Sequence, residues 1–249
     1  MISAKDAGRN LVSDRGWYAP RRLQAGELMD DPASDRRLLE RTLTQLELIN
    51  RLLSRARALL RRYVIDDMRA RGARRATVLD VGAGGGDIAL WLVRQAAHFG
   101  LQLRTTCLDR DERVVEFARR RLRGEQAVEV VHGSALEITG QWDYVLCNHF
   151  LHHLDEAEIE LFLDLSFEIC RRRLLINDLL RSNWSLAGFR IVSALLLHGS
   201  FARHDGIVSI QRGFRPSELD GMVRQCRWNG QAQVGKLLPG RVYLVGTRT

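Results

Sequence analysis

The chain is constrained first by what it lacks. None of its 249 residues belongs to an apolar run near the roughly 18–20 residues that cross a bilayer. The longest candidate, Ile191 to Leu197, is too short, so no membrane span is expected. The opening residues, MISAKDAGRN, hold no apolar h-region, so no secretory signal is expected. Cysteine is scarce. Cys107, Cys147, Cys170 and Cys226 are widely spaced, form no CxxC and have no histidine partner at metal spacing. Each lies in or beside an apolar segment, and all four read as reduced core residues of a cytoplasmic protein. No internal repeat or low-complexity tract occurs.

What is present suits a globular α/β chain. Hydrophobic residues make up 45%, enough for a sizeable core. The length suits one large domain, or a domain with an appendage. The net charge is +8, almost all of it from arginine. The densest basic runs, Arg119–Arg121 and Arg171–Arg173, are placed at the ends of expected helices, where cations complement the helix dipole. They read as solvated faces, and a nucleic-acid partner is disfavoured. A homodimer is left open.

Residues 78–89, VLDVGAGGGDIA, are the most informative stretch. An apolar strand meets a glycine turn and then a helical pattern, which opens a βαβ unit that holds a ligand at a helix N-terminus. A dinucleotide turn, G-x-G-x-x-G/A, would need Gly or Ala at position 87, and Asp87 stands there. Asp80, two residues before Gly82, would repel a pyrophosphate. It suits a ligand with positive charge, such as the amino group and sulfonium of S-adenosylmethionine. The pattern D-x-G-x-G-x-G resembles motif I of the class I S-adenosylmethionine-dependent methyltransferases. Asp80, Gly82, Gly84 and Gly86 match it one for one, with Ala83 inside the turn. The competing reading is an ordinary glycine-rich strand-to-helix turn.

The rest of the chain follows in order. Residues 1–33 read either as partly disordered or as a lid, with Trp17 and Tyr18 favouring packing. From Ser34, a good N-cap, two apolar stripes predict two helices with a break near Leu53–Arg57, ending at Gly72. Residues 1–72 are expected to cap a domain spanning 73–249. Strand–helix alternation starts at residue 76. The second strand ends in Asp109, about 20 residues past the glycine turn, where a carboxylate accepts two ribose hydroxyls. The alternative for Asp109 is a helix N-cap. Arg110 follows it. The third strand, Val128 to His132, leads into Ser134 and Ala135, candidates beside an adenine. The fourth, Trp142 to Cys147, leads into Asn148, His149 and then His152 and His153. These border the crevice at the strand ends. A metal is disfavoured there, because the spacing fits no helix face and no second ligand cluster is evident. After the strand Arg173–Leu180, an insertion at about 181–215 is expected to wall a substrate pocket, pack on the N-terminal helices, or do both. Pro216 starts a helix, and two strands around Pro239-Gly240 read as a hairpin.

Together these features look like a class I methyltransferase. The resemblance implies a Rossmann-like, mostly parallel seven-stranded sheet in the order 3-2-1-4-5-7-6. Further segments (E-L-M-D-D-P near residue 30, Asn50-Arg51, I-N-D-L-x-R at 176–181 and H-D-G at 204–206) are similar to methyltransferases associated with type III polyketide synthases. That implies secondary metabolism, with methyl transfer from S-adenosylmethionine to a small aromatic or phenolic acceptor, O-methylation first. The alternatives are C-methylation of a quinone-type ring, methylation of a nucleic acid, or a non-catalytic S-adenosylmethionine-binding protein. A phenol with a pKa near 10 calls for a base. His149 or His152 is the candidate, with His204, oriented by Asp205, as the other.

Overall fold

Seven strands form one continuous sheet with helices on both faces. The computed structural model describes residues 22 and 26–248. The expectation for Trp17 and Tyr18 lies outside the described residues. The strands are β1 (Arg75–Val81), β2 (Gln102–Asp109), β3 (Val128–His132), β4 (Trp142–Asn148), β5 (Cys170–Leu179), β6 (Ala232–Leu237) and β7 (Arg241–Thr247). Their spatial order is β3-β2-β1-β4-β5-β7-β6, as expected. Neighbouring strands from β3 to β5 pair in parallel, and β7 runs antiparallel between β5 and β6. In the register, Asp80 on β1 lies opposite Cys107 on β2 and Leu146 on β4.

Parallel strands need crossovers, and the crossovers cover both faces with helices. Alternate residues therefore enter two different cores. On one face Tyr144 and Leu146 of β4 join Val78, Leu92, Val64 and Met68. On the other, Val145 and Cys147 join Phe162, Leu163, Leu219 and Trp228. All four cysteines are buried and free, as expected.

Helix α1 (Arg36–Leu52) is capped by the Asp35 carboxylate, which accepts from the Arg37 and Leu38 N–H groups. Asp35 takes the role expected of Ser34. The chain breaks at Arg55, in the left-handed region at φ 60°. It resumes as α2, which runs through Ala56–Leu60, a π-helical turn at Arg61–Ile65, and Asp66–Ala70. The two helices have different places. α2 packs on the sheet through Leu60, Val64, Ile65 and Met68. α1 lies against the carboxyl ends of the strands, and its Leu39 and Leu43 pack with Val114.

The remaining helices are α3 (Asp87–His98), α4 (Glu112–Arg121), α5 (Glu156–Ile169), α6 (Asn183–Leu196), α7 (Ala202–Arg212) and α8 (Pro216–Gln225). The expected insertion folds as α6 and α7. Its two ends are stitched together: Arg181 N–H donates to the Phe214 carbonyl, and Phe214 N–H donates to the Leu179 carbonyl. The arginine runs are placed differently from each other. Arg119–Arg121 close α4 as expected. Arg171–Arg173, expected at a helix end, instead open β5, because that strand starts at Cys170. Partners hold several of these cations. Arg120 pairs with Glu40 at 2.5 Å, Arg121 with Glu47 at 2.5 Å and Arg173 with Asp67 at 2.9 Å. Among the described residues no helix is long and apolar enough to cross a membrane.

Candidate functional site

β1 and β4 are neighbours, but the helices that follow them lie on opposite faces. α3 contributes Leu92 to one core and α5 contributes Phe162 to the other. The strand ends therefore open a crevice, the usual ligand position in open α/β sheets. A cavity occupies it. Its floor is the turn after β1 and its walls are α1, α6 and α7.

The glycine turn is built for close approach. Gly82, Gly84 and Gly86 all have positive φ, at 65°, 54° and 71°. A Cβ on Gly82 would collide with the Phe150 ring. Asp80 sits beneath this turn, 2% exposed, and its Oδ2 has no hydrogen-bond partner among the described residues. Burial, with Asp87 and Asp109 nearby, pushes its carboxyl up to about 8. A buried carboxyl with an unsatisfied oxygen, in an acidic surround, fits a cationic ligand. The Asp109 carboxylate accepts from the Gly84 N–H at 3.0 Å and the Asp111 N–H at 3.1 Å. Asp111, not Asp109, caps α4. Asp109 is thus free of the capping role and borders the cavity, as do Ala83 and Arg110.

Other candidates separate. Gly86, Ser134, Ala135 and His204 are not among the residues lining the cavity. The Gly86 φ makes it part of the turn's backbone geometry, as the residue that opens α3. The Ser134 hydroxyl accepts from the Leu136 N–H, a local turn contact. His204 keeps Asp205 as its partner, at 3.0 Å, but its side chain is more than half exposed. The Asp205 carboxylate also accepts from the Leu28 and Met29 N–H groups.

Asn148 belongs to a polar chain. Its Nδ2 donates to Asn50 Oδ1, while its Oδ1 accepts from Asn177 Nδ2 at 2.7 Å. Asn50 Nδ2 in turn donates to Asp87. This ties α1 to β4, β5 and the start of α3. In the sequence Asn50 stands in the Asn50-Arg51 resemblance; its polar role depends on a partner 98 positions away.

The histidines have distinct environments. His149 has φ 56°, an uncommon value for a non-glycine residue, and its ring meets the Arg241 guanidinium. Loss of hydration, with Arg241 beside it, pushes its pKa well below the usual imidazole value. It is neutral, with its Nε2 facing a cation. His152 is buried. Its Nδ1 donates to Asp178 Oδ1 at 2.7 Å, and its Nε2 lies 3.3 Å from Glu27 Oε1. Although burial opposes the charge, Asp178 and Glu27 raise its pKa to about 9. It is protonated at neutral pH, so it is a poor proton acceptor, contrary to the expectation for a base. His153 is the one the sequence passed over. It borders the cavity, stacks on Phe150, and donates from Nδ1 to Asp30 Oδ2 at 2.9 Å. That bond assigns a proton to Nδ1, and Nε2 lies 3.8 Å from Glu27 Oε1. Glu27 and Asp30 come from the E-L-M-D-D-P segment, which carried resemblance without an assigned chemistry.

Residues 78–172 match the family described as methyltransferase domain. No curated protein matches the chain. Several solved structures share the fold. The plantazolicin methyltransferase BpumL, in complex with S-adenosylhomocysteine, is 11% identical at a TM-score of 0.65, covering 89% of this chain and 93% of that one. The human N-acetylserotonin methyltransferase, in complex with S-adenosylmethionine, is 14% identical at 0.59, covering 85% and 56%. The mitomycin 7-O-methyltransferase MmcR is 23% identical at 0.54, covering 89% and 59%.

Proposed function

We propose that this chain is a class I S-adenosylmethionine-dependent methyltransferase and that it methylates the hydroxyl of a small aromatic acceptor. The observation that carries this reading is the pairing of two unlike halves in one cavity. The acidic glycine turn forms one side. Apolar Leu43, Leu46, Ile49, Phe189 and Leu197 form the other, with His153 and Glu27 at its edge. The sulfonium supplies an electrophilic methyl and a neutral thioether leaving group.

The residues divide accordingly. Asp80 and Asp109 recognise the cationic and ribose ends of the cofactor, with Gly82, Ala83 and Gly84 letting the backbone approach. Arg110 borders the same end. Gly86 shapes the turn without facing the ligand, and the adenine role expected of Ser134 and Ala135 has only local contacts to support it. The apolar walls from α1, α6 and α7 orient the ring, and positioning supplies most of the rate. His153, held by Asp30, takes the phenolic proton. An acceptor from polyketide or phenolic-lipid secondary metabolism is consistent with the apolar walls. MmcR, an O-methyltransferase by name, shares the fold. Residues 36–52 and 183–212 act as the acceptor-side cap.

The test is transfer of radiolabelled methyl groups to a panel of phenols, quinone-type rings and RNA. Phenols should accept, and His153→Ala should lower kcat by about 10²–10⁴-fold. Transfer to RNA alone, or cofactor binding without transfer to any acceptor, would replace this reading.

A further inference from the structure

We infer that Glu27, His152 and His153 form a binding site for one divalent transition-metal ion, open toward the acceptor side of the cavity. Three observations converge. First, the donor atoms are already assembled. Glu27 Oε1 lies 3.3 Å from His152 Nε2 and 3.8 Å from His153 Nε2, and the three donors all lie within 4.8 Å of one another. Donors that share a four-coordinate zinc at about 2.0–2.1 Å stand roughly 3.3 Å apart. The two Glu27 contacts therefore stand within about 0.5 Å of that spacing.

Second, the surrounding shell has the form that metal-binding histidines take. Such rings donate their second N–H to a carboxylate, which fixes the tautomer and aims the other lone pair at the ion. Here both rings do so, His152 to Asp178 at 2.7 Å and His153 to Asp30 at 2.9 Å; the ion would replace the proton that His152 Nε2 holds against Glu27 without it, so binding would release that proton. The Glu27 oxygen is itself hydrogen-bonded, accepting from the Ser209 hydroxyl at 2.7 Å. Two such arrangements converge here on a single carboxylate oxygen.

Third, the position is chemically apt. Glu27, His152 and His153 all border the cavity, so three protein donors would leave a coordination position facing the acceptor. Structural ions are closed by four protein ligands, whereas catalytic ones keep a position open. Two imidazoles and a carboxylate suit zinc or ferrous ion better than magnesium.

The role of the ion rests on the methyl-transfer reading; the site itself does not. With the ion in place, its open position would take the phenolic oxygen and acidify the hydroxyl, whose proton would leave to solvent. The oxygen lone pair then forms the O–CH₃ bond as the S–CH₃ bond breaks, its electron pair staying on sulfur. The ion takes over the task of His153, whose Nε2 becomes a ligand.

The test uses the full-length protein dialysed against chelator and titrated with Zn²⁺ by calorimetry and with Co²⁺ by visible absorption. The expected result is one ion per chain and the intense ligand-field bands of a low-coordinate cobalt site. Glu27→Gln and His153→Ala should each lose stoichiometric binding. Asp30→Asn, which leaves the ligands in place, should weaken it about 10–100-fold. Circular dichroism identifies any variant that fails to fold, and Asp30→Asn then decides alone. No stoichiometric ion in the wild type, or equal binding by all three variants, overturns the site and leaves a charged hydrogen-bond lock. Methyl transfer at full rate by protein shown to be ion-free overturns the role of the ion while the function stands. Ion binding without methyl transfer to any acceptor removes the function while the site stands.

Discussion

Asp80 is the residue whose chemistry depends most on its surroundings. In water a carboxyl is ionised at neutral pH. Under the glycine turn its pKa is about 8, because burial and two neighbouring carboxylates oppose the charge. A cationic ligand reverses that preference, so binding and ionisation of Asp80 favour each other. Affinity for S-adenosylmethionine should rise as pH increases from about 6.5 through 8. Asp80→Asn should flatten that profile and weaken binding about 10–100-fold, the range for a hydrogen bond to a charged group. Calorimetric titration across pH measures both.

His152 and Asp178 present the opposite case, a buried charge that is paired. Asp178 is held well below the usual carboxylate range by His152, against the effect of burial. The His152 pKa is raised from 6.5 to about 9. A raised folded-state pKa contributes stability that is complete below the unfolded value. It is lost as pH rises through the folded one. Asp80, raised to about 8, acts in the same direction. The thermal midpoint of the ligand-free protein should therefore fall between about pH 7 and 9. Asp178→Asn should cost about 3 kcal/mol at pH 7, the low end for breaking a buried ion pair, because Glu27 is left as the only carboxylate beside the His152 charge. Denaturant melts of the two proteins at pH 7 provide the comparison.

At the scale of elements, the strand–turn–helix unit is specified locally. β1 is apolar, the turn has residues that tolerate positive φ, and α3 begins with Asp87 at its positive end. Gly82 bears two constraints at once, a φ of 65° and the Phe150 ring against its α-carbon. Gly82→Ala should lose about 1–2 kcal/mol from the left-handed backbone alone, and more from displacing Phe150. Cofactor binding should be lost before the fold. An unfolding curve with near-normal cooperativity, alongside absent calorimetric binding, is the expected pair of results.

The placement of α1 and α2 was less legible. Both have an apolar stripe, and a stripe says that a helix packs without saying on what. α2 is an ordinary sheet-covering helix. α1 reaches over the strand ends and is tied down by Asn50. The break at Arg55 separates them, and the sequence indicated that break. The insertion presented the same ambiguity. Its apolar run packs with α1, since Ile49 joins Leu197 and Ala202, and it also walls the cavity.

For the whole molecule, the cavity is a joint product of segments far apart in the chain. α1 and α7 close over strand ends formed by residues up to 241. Part of that closure is electrostatic at the surface, through Arg36–Glu116 and Arg120–Glu40, which join α1 to α4. Cofactor binding should order these segments together. Amide exchange in residues 36–52 and 202–212 should slow on adding S-adenosylmethionine, and α5 on the far face should change little. Uniform protection, or none in α1, would show that these helices do not respond to the cofactor site.

The sequence by itself determined the alternation of strands and helices, the glycine turn, Asp80 and Asp109, while the spatial order of the seven strands followed from the family resemblance and not from the residues themselves. Each of the former is encoded within a few neighbouring residues or by a regular alternation, and short-range sterics and periodicity suffice to set them. Which histidine could act, and with what partner, was decided only in three dimensions. His152 meets Asp178 and Glu27, and His153 meets Asp30, across separations of 26 to 125 and 123 residues. The charge of an imidazole depends on the carboxylates beside it and on the water excluded around it. Both arise only when α1, α7 and the strand ends pack together.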